Sequence, residues 1–338
     1  MKYILVTGGL GFIGSNFIEY LLEHDDNIFV VNIDNMTYAA NVDSCNSFFN
    51  TNRYEFIKCD ICDTERIKHI LAKYNISHVF HFAAETHVDN SIKKPEIFAE
   101  TNIMGTISLL KACYEIWMDG PGVFKYGCEN TKFHHISTDE VFGSLGKYGF
   151  FNEESRYAPN SPYSASKASS DMMVRSFICT YGLNAVITNC SNNYGPYQNK
   201  EKLIPTIIRK AISGEEIPIY GNGENIRDWL YVKDHCEAIF LIFKKCKNAD
   251  TYLIGGENEL TNIQVANIIC DLLDDIAPKK YRHRELITFV NDRPGHDYRY
   301  AVDISKIANS IGWRPKESFE TAILKTIQWY MSNKTYLK

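Results

Sequence analysis

The feature that most constrains this 338-residue chain is a glycine cluster near its start. Gly8, Gly11 and Gly14 are spaced three apart, between an apolar run at residues 3–7 and a helical pattern of apolar residues at 12–22. Glycines at this spacing allow a tight turn, let a pyrophosphate approach the backbone and let the helix pack closely on the strand. The pattern predicts a strand–turn–helix unit that binds a dinucleotide; the alternative is a glycine-rich turn without a ligand.

An acidic residue stands at the end of the next apolar run. Residues 28–33 predict a second strand, and Asp34 follows it, 20 residues after Gly14. A carboxylate at this place accepts hydrogen bonds from both hydroxyls of an adenosine ribose and repels a 2′-phosphate. No Arg follows Asp34 until Arg53. The sequence therefore favours NAD over NADP as the dinucleotide.

Alternating strands and helices continue beyond this first unit. Strands are predicted at residues 55–58, 78–82, 132–137 and 185–190, and helices at 65–74, 97–115 and 163–181. This alternation is typical of an α/β fold with a doubly wound parallel Rossmann sheet, which binds ligands at the carboxyl ends of its strands. Asp60 and Ile61 follow the third strand and are expected at the adenine. The alternative is an ordinary helix N-cap formed by Asp60 or Asp63.

The pattern of the chain changes in its second half. Residues 192–198 are predicted to form a loop, and shorter strands and helices follow to the end. We expect residues 1–195 to form the NAD-binding Rossmann domain, with residues 228–256 returning to its sheet. Residues 196–227 and 257–338 are expected to form a smaller C-terminal lobe that binds the substrate.

Composition and charge narrow the classes of partner. Hydrophobic residues make up 45% of the chain and charged residues 23%, which predicts a globular protein with a large core. The formal net charge of −5 gives no basic excess, so neither nucleic acid nor a membrane is an expected partner. Cys59 and Cys62 form a CxxC without a second pair, and no metal is expected. The ten cysteines are scattered, which is typical of reduced thiols, and the apolar run at residues 3–7 is too short for the core of a signal peptide. Both features predict a cytoplasmic location.

A phenol and an ammonium group stand four residues apart in the predicted helix 163–181. Tyr163 and Lys167 therefore share one helix face. A tyrosine with its usual pKa of about 10 is a weak base at neutral pH, but a nearby ammonium and a positive nicotinamide both favour the phenolate. The phenolate can then take a proton from a hydroxyl while a hydride leaves. The alternative is an ordinary pair on a helix surface.

Two adjacent acids follow the strand predicted at residues 132–137. Asp139 and Glu140 come directly after Thr138, where a parallel sheet binds its ligands. Crowded carboxylates seldom both stay ionised, because like charge raises the pKa of one of them. One protonated acid and one carboxylate base is what the elimination of water requires. The alternative is a helix start capped by Asp139.

Several strings, taken together, carry a family resemblance. They are TGGLGFIG (7–14), AAETHVDNSI (83–92), STDEVFG (137–143), PYSASKA (162–168), NNYGP (192–196), RDWLYV (227–232) and RPGHDYRYA (293–301). The chain resembles the extended short-chain dehydrogenase/reductase group of sugar-nucleotide enzymes, and within it the 4,6-dehydratases that act on dTDP-glucose. The Asp139–Glu140 pair discriminates, because related epimerases and decarboxylases lack it.

The resemblance implies an internal redox cycle on a nucleoside-diphosphate glucose. Tyr163, assisted by Lys167 and Thr138, would oxidise the 4-hydroxyl with bound NAD as hydride acceptor. Glu140 would remove the proton on C5 while Asp139 protonates the departing 6-hydroxyl, and the hydride would return to C6. The expected substrate is dTDP-glucose. UDP-glucose with the same mechanism, a UDP-sugar 4-epimerase and a catalytically idle NAD-binding protein are the alternatives.

The resemblance also implies binding residues and an assembly. NAD would contact Gly8, Gly11, Phe12, Ile13, Gly14, Asp34, Asn35, Asp60, Ile61, Ala83, Ala84, Thr101, Tyr163, Lys167 and Asn193. The sugar nucleotide would contact Thr86, Thr138, Asn192, Lys202, Leu203, Pro218, Tyr220, Arg227, Asn262, Arg293 and His296. A homodimer is implied through the predicted helices 97–115 and 163–181. The chain departs from the family's usual Ser at Thr86, Arg at Asn90 and Tyr at Phe142.

Overall fold

The computed structural model describes residues 1–246 and 248–337. Lys247, inside the predicted returning segment 228–256, and Lys338, at the end of the predicted lobe 257–338, lie outside the described residues. The strands are β1 (Lys2–Thr7), β2 (Ile28–Asp34), β3 (Tyr54–Lys58), β4 (His78–His81), β5 (Met118–Gly120), β6 (Val123–Phe124), β7 (Lys132–Thr138), β8 (Ala185–Cys190), β9 (Asn192–Tyr194), β10 (Ile217–Tyr220), β11 (Ile226–Tyr231), β12 (Asp250–Ile254), β13 (Glu259–Thr261) and β14 (Ile287–Val290).

The α-helices alternate with these strands in the first half and dominate the end of the chain. They are α1 (Phe12–His24), α2 (Thr64–Lys73), α3 (Val88–Lys93), α4 (Pro95–Phe98), α5 (Gly105–Trp117), α6 (Pro162–Tyr181), α7 (Leu203–Ser213), α8 (Val232–Lys245), α9 (Asn262–Ile276), α10 (Ser305–Ile311) and α11 (Phe319–Ser332). A π-helical segment, Ala99–Met104, joins α4 to α5. No helix of the described part of the chain is long and apolar enough to cross a membrane.

A seven-stranded sheet is the centre of the fold. Its strand order is β12-β8-β7-β4-β1-β2-β3, and every neighbouring pair is parallel. The chain winds outward in both directions from β1 and β4, so the loops after these two strands diverge and leave a crevice at their carboxyl ends. The prediction of a doubly wound parallel Rossmann sheet is confirmed.

Both faces of this sheet are covered by helices. Ile4 and Val6 pack in a core with α1 and α8, whereas Leu5 packs in the opposite core with α2, α5 and α6. Successive side chains of a strand point to opposite faces, which explains why β1 reads as a continuous apolar run. The returning element β12 pairs with β8, as the sequence predicted.

A second core lies in the C-terminal half and is built mainly from helices. It collects apolar side chains of α7, α9 and α11 with those of β10 and β11. Two small sheets, β10-β14 and β13-β11-β9, accompany it. The loop predicted at residues 192–198 is wrong in part, because Asn192–Tyr194 pairs with Trp229, Leu230 and Tyr231 of β11. The partner strand lies more than 30 residues away, so local sequence did not indicate it.

Candidate active site

A cleft opens at the carboxyl ends of β1, β2, β4 and β7, where the loops after these strands diverge. Every residue predicted to contact the cofactor lines it. Of the residues predicted to contact substrate, Thr86, Thr138, Asn192 and Lys202 line it, whereas Leu203, Pro218, Tyr220, Arg227, Asn262, Arg293 and His296 do not. Of the predicted catalytic set, Thr138, Glu140, Tyr163 and Lys167 line it and Asp139 is buried behind it.

The glycine turn at the start of α1 leaves no room for side chains. Gly8 has φ +72°, and a Cβ added there would lie 2.6 Å from the backbone nitrogen of Ala83. A Cβ at Gly14 would lie 2.4 Å from the carbonyl oxygen of Gly8. Gly11 caps α1 without any side-chain hydrogen bond, and no acidic residue stands in the first turn. The first-turn amides therefore face the cleft without a competing anion, which fits a dinucleotide pyrophosphate.

The end of β2 carries the ribose-binding candidate. Asp34 accepts the Leu10 amide at 3.1 Å and the Met36 amide at 2.8 Å. Burial raises its pKa, and these two amides counteract part of the rise. Asp60 lines the cleft and accepts the side-chain amide of Asn35 at 2.8 Å. Of the two N-cap alternatives, Asp63 forms the cap of α2, whereas Asp60 accepts the Cys62 amide at 2.9 Å and lines the cleft.

Asn102, in the π-helical segment, is a positioning residue that sequence reasoning missed. Its side chain accepts the Glu85 amide at 2.8 Å and donates to the Glu85 carbonyl at 3.0 Å. It also donates to the Ser166 hydroxyl of α6 at 2.8 Å. Asn102 thus ties the loop that carries Thr86 to the helix that carries Tyr163. The only sign of this role in the sequence is that an Asn stands among the apolar residues of the predicted helix 97–115.

The face of α6 that lines the cleft carries Tyr163 and Lys167. The capping box of Ser161 and Ser164 starts this helix and fixes Tyr163 in its first turn. The Lys167 ammonium donates to the Ile136 carbonyl oxygen at 2.8 Å. Burial raises the pKa of Tyr163, and the carboxylate of Glu140 raises it further. Burial and Glu140 thus oppose the phenolate, and the expectation that Lys167 and a positive nicotinamide together favour it stays a prediction.

The adjacent acids occupy different environments. Thr138 caps the short 3₁₀ helix Asp139–Phe142 by accepting the Glu140 amide at 3.3 Å, so the alternative of a cap by Asp139 is wrong. Burial raises the pKa of Asp139, and the Glu140 carboxylate and Asp228 add to the rise. Burial also raises the pKa of Glu140, but Arg293, Arg227 and Lys202 all oppose that rise. The pKa of both acids is raised, but three cations oppose the rise at Glu140 and one, Arg227, opposes it at Asp139, so the environment favours the protonated form at Asp139 more than at Glu140.

Three cations surround Glu140, namely Lys202, Arg227 and Arg293. All three lie in the segments predicted to form the C-terminal lobe. Lys202 donates to the Thr86 carbonyl at 2.9 Å across the cleft. The buried Arg227 donates to the carbonyls of Ile226 and Asp297 and stacks 4.3 Å from the Tyr300 ring. These contacts place positive charge beside the acid pair.

Tyr220 and Arg293, which are also predicted to contact substrate, both contact a carboxylate of the N-terminal domain. Tyr220 donates to the Asp89 carboxylate at 3.1 Å, and Arg293 lies 3.8 Å from the other oxygen of Asp89. His296 contacts Asp292 at 2.6 Å and packs edge-on to the Tyr220 ring. Tyr220, Arg293 and His296, all predicted to contact the sugar nucleotide, are thus brought close together.

Comparison with known proteins decides the family. A family model described as GDP-mannose 4,6 dehydratase matches residues 5–326. A dTDP-glucose 4,6-dehydratase of Salmonella typhimurium is 50% identical, covering 98% of this chain and 93% of that protein. The chain belongs to the dTDP-glucose 4,6-dehydratase family. The resemblance predicted from sequence is confirmed. A second member of the family, from Neisseria meningitidis, is 49% identical over 99% of this chain and 95% of its own length.

Solved structures of the dTDP-glucose 4,6-dehydratase family have the same fold. The enzyme of Bacillus anthracis, solved in complex with NAD, is 40% identical, and the match covers 100% of both chains with a TM-score of 0.88. The enzyme of Streptomyces venezuelae, also solved with NAD bound, is 39% identical over 100% of both chains with a TM-score of 0.90. A UDP-glucose 4-epimerase of Thermotoga maritima shares the fold at 28% identity over 98% of this chain and 100% of its own, with a TM-score of 0.84.

Proposed function

We propose that this chain is an NAD-dependent hydro-lyase that converts dTDP-glucose into its 4-keto-6-deoxy sugar. The observation that carries the proposal is the Asp139–Glu140 pair beside Tyr163, in a chain that is 50% identical to a dTDP-glucose 4,6-dehydratase over nearly its whole length. The relatives support dTDP-glucose rather than the alternatives of UDP-glucose dehydration or 4-epimerisation.

NAD is held by the glycine turn and the residues around it. Its pyrophosphate fits the first-turn amides of α1, where Gly8 and Gly14 leave space, and its ribose fits Asp34. When bound, NAD accepts a hydride from C4 of the sugar and returns it to C6. The relatives solved with NAD support this cofactor. Ala83, Ala84 and the other lining residues of the cleft are proposed to complete the pocket.

The oxidation step needs a base at the 4-hydroxyl, and Tyr163 is proposed as that base. Its phenol lies in the cleft next to Thr138, which lowers the phenol's pKa by hydrogen bonding. Because burial and Glu140 raise the pKa of Tyr163, the phenol gives up its proton only when positive charge stands close by. Lys167 supplies one such charge from the next turn of α6.

The elimination step needs a base at C5 and an acid at the 6-hydroxyl. Glu140 lines the cleft, and the positive charges of Arg293, Arg227 and Lys202 favour its carboxylate form, so we assign it the removal of the C5 proton. Burial and Glu140 keep Asp139 protonated, so we assign it the transfer of a proton to the departing 6-hydroxyl. The C5 proton stays on Glu140 through the elimination and returns to C5 as the hydride adds to C6. The proton of Asp139 leaves with the water, and the proton that Tyr163 took from the 4-hydroxyl makes up for it.

The nucleotide diphosphate is proposed to lie between two lobes. We retain residues 1–195 with 228–256 as the NAD-binding unit and residues 196–227 with 257–338 as the substrate lobe. The separate helical core around α7, α9 and α11 supports this division. Arg227 and Arg293 are proposed to contact the diphosphate, because a guanidinium can donate two parallel hydrogen bonds to phosphate oxygens.

Product analysis tests the proposal. The purified chain, incubated separately with dTDP-glucose and UDP-glucose, is expected to remove one molecule of water from dTDP-glucose faster than from UDP-glucose, as followed by the mass of the sugar nucleotide. Interconversion of the 4-epimers without water loss would contradict it, as would faster dehydration of UDP-glucose.

The glycine turn gives a prediction for cofactor binding. Replacing Gly14 with Ala is expected to weaken NAD binding at least ~10-fold, because the added Cβ would meet the Gly8 carbonyl at 2.4 Å and push α1 away from the turn. Calorimetric titration with NAD measures the change. Gly120→Ala is the matched control, since no atom lies within 4 Å of a Cβ there. Equal NAD affinity in the two variants would contradict the assignment of the turn.

We also propose that the chain forms a homodimer in the cytoplasm. Exposed apolar side chains, Ile97, Met104 and Met172, are 39–56% accessible on the α4–α5 segment and on α6, which pack side by side. A second copy of this chain would cover them. Within the described residues the ten cysteines form no disulfide, which supports a reducing compartment.

The dimer is tested by a charge placed on these helices. The double variant Met104→Glu/Met172→Glu is expected to shift the molecular mass in light scattering from that of a dimer to that of a monomer, because two carboxylates per copy would be buried without partners. Tyr126→Glu, at a fully exposed position outside these helices, is the control and is expected to leave the mass unchanged. A wild-type monomer would contradict the assembly.

A further inference from the structure

Asp171 stands one helical turn beyond Lys167 on the catalytic face of α6. Tyr163, Lys167 and Asp171 follow one another at intervals of four residues, so their side chains share one face of the helix. Asp171 does not line the cleft, and it is only 1% exposed. A carboxylate in such a place is costly unless cations or donors surround it.

The donors around Asp171 come from three other parts of the chain. Its Oδ2 accepts the Tyr157 hydroxyl at 3.0 Å and the Asn189 side-chain amide at 2.9 Å. The same Asn189 amide donates to the Thr138 carbonyl at 3.1 Å, directly before the acid pair. Oδ1 has no hydrogen-bond partner and lies 3.1 Å from Nε2 of His135. One oxygen of Asp171 is thus tied to the substrate end of β7, and the other faces the imidazole of His135.

We propose that Asp171 is a positioning residue that acts as the counter-charge of Lys167 and thereby keeps this lysine cationic beside Tyr163. Lys167 is 4% exposed, and its one hydrogen bond in the structure goes to a neutral carbonyl, that of Ile136. Burial lowers the pKa of Lys167, and the Asp171 carboxylate counteracts part of this shift. The inference rests on the proposed role of Lys167 in the oxidation step.

The imidazoles and the thiol that surround the pair do not titrate between neutral and mildly alkaline pH. Burial lowers the pKa of His135 to about 4 and lowers that of His81 well below its usual value. Burial raises the pKa of Cys190 to about 12. Burial also raises the pKa of Tyr157, and of Tyr163 and Asp139 on the cleft side. Asp139 acts only in the elimination, so a change in the alkaline limb of the oxidation step after loss of the Asp171 charge reports Lys167 together with the phenol that it serves.

The experiment is the pH profile of the oxidation step, followed as the NADH absorbance formed in a single turnover of dTDP-glucose by the NAD-loaded Asp171→Asn variant. Without the carboxylate, Lys167 loses its proton at lower pH, so the alkaline limb is expected to move to lower pH. The variant should lose about tenfold more activity at about pH 9 than at about pH 7, each relative to wild type. Asp171→Glu keeps the charge and is expected to return the limb toward the wild-type position.

Two further variants separate charge from folding. Tyr157→Phe removes one donor to Asp171 but leaves the charge, so the alkaline limb is expected to move to higher pH. Asp234→Asn is the matched control, since Asp234, on α8, is a buried carboxylate that accepts the backbone amides of Lys316 and Glu317. The limb is expected to stay in place in this variant.

The outcomes are distinguishable. A uniform loss of activity at all pH values in Asp171→Asn, or a downward shift of the limb in Tyr157→Phe, would overturn the counter-charge role while leaving the dehydratase function intact. A wild-type chain that releases no water from dTDP-glucose at any pH would overturn the proposed function itself. If Asp171→Asn does not fold, the direction of the shift in Tyr157→Phe decides.

Discussion

Tyr163→Phe is expected to lower kcat for dTDP-glucose dehydration by about 10³-fold or more. Phenylalanine fills the same space against Phe98 and Val88, so the local packing survives. What is lost is the oxygen that takes the proton of the 4-hydroxyl, and no later step occurs without the 4-ketone. Initial rates of water loss, measured by mass, give the change.

A second measurement separates the oxidation from the steps that follow it. In deuterated water, the 4-keto-6-deoxy product itself exchanges its C5 proton without any oxidation, provided that Glu140 is intact. Tyr163→Phe is therefore expected to retain this exchange. Tyr252→Phe, a buried tyrosine outside the cleft, is the control and should keep wild-type turnover. Turnover by Tyr163→Phe within tenfold of wild type would contradict the assignment of the base.

Glu140→Gln is expected to lower kcat by about 10³-fold and also to abolish the C5 exchange of the keto product. Glutamine preserves the shape of the side chain but cannot accept a proton from carbon. It also removes the negative charge that Arg293, Arg227 and Lys202 surround, so sugar-nucleotide binding is expected to be equal or tighter. Exchange followed by nuclear magnetic resonance, together with calorimetric titration of the nucleotide, measures both effects.

Asp139→Asn provides the comparison for this variant, because Asp139 is proposed to act on the leaving hydroxyl only. It should keep the C5 exchange and lose water elimination. Glu153→Gln is the matched control, since Glu153 is a half-buried glutamate outside the cleft that accepts the Leu253 amide. If Glu140→Gln exchanged the C5 proton at the wild-type rate, the base would have to be another group.

The parts of the site that depend on local spacing could be predicted from the sequence. Gly14 and Asp34 lie within one βαβ unit, and Tyr163 and Lys167 lie within two turns of one helix, so helix and strand geometry alone place them. The doubly wound sheet followed for the same reason, since its strands alternate regularly with helices. Spacing therefore predicted that these four residues share one ligand site, and all four line the cleft, whereas Ala83, Ala84, Thr101 and Asn193 were implied by the family resemblance.

The parts that depend on distant pairings could not be predicted from spacing. Asn102 reaches Glu85 only because the π-helical segment lies beside the loop after β4, and Asn189 reaches Thr138 only because β7 and β8 are neighbours in the sheet. The raised pKa of Tyr163 has the same origin. It results from burial and from Glu140, which the chain brings together from different elements.

The central claim is that one hydride leaves C4 and returns to C6 of the same sugar while water departs across C5 and C6. It is tested most directly with dTDP-glucose that carries deuterium at C4. The account predicts a product that has lost the mass of one unlabelled water and carries the deuterium at C6. A dehydrated product without deuterium, or a product with deuterium still at C4, would contradict it.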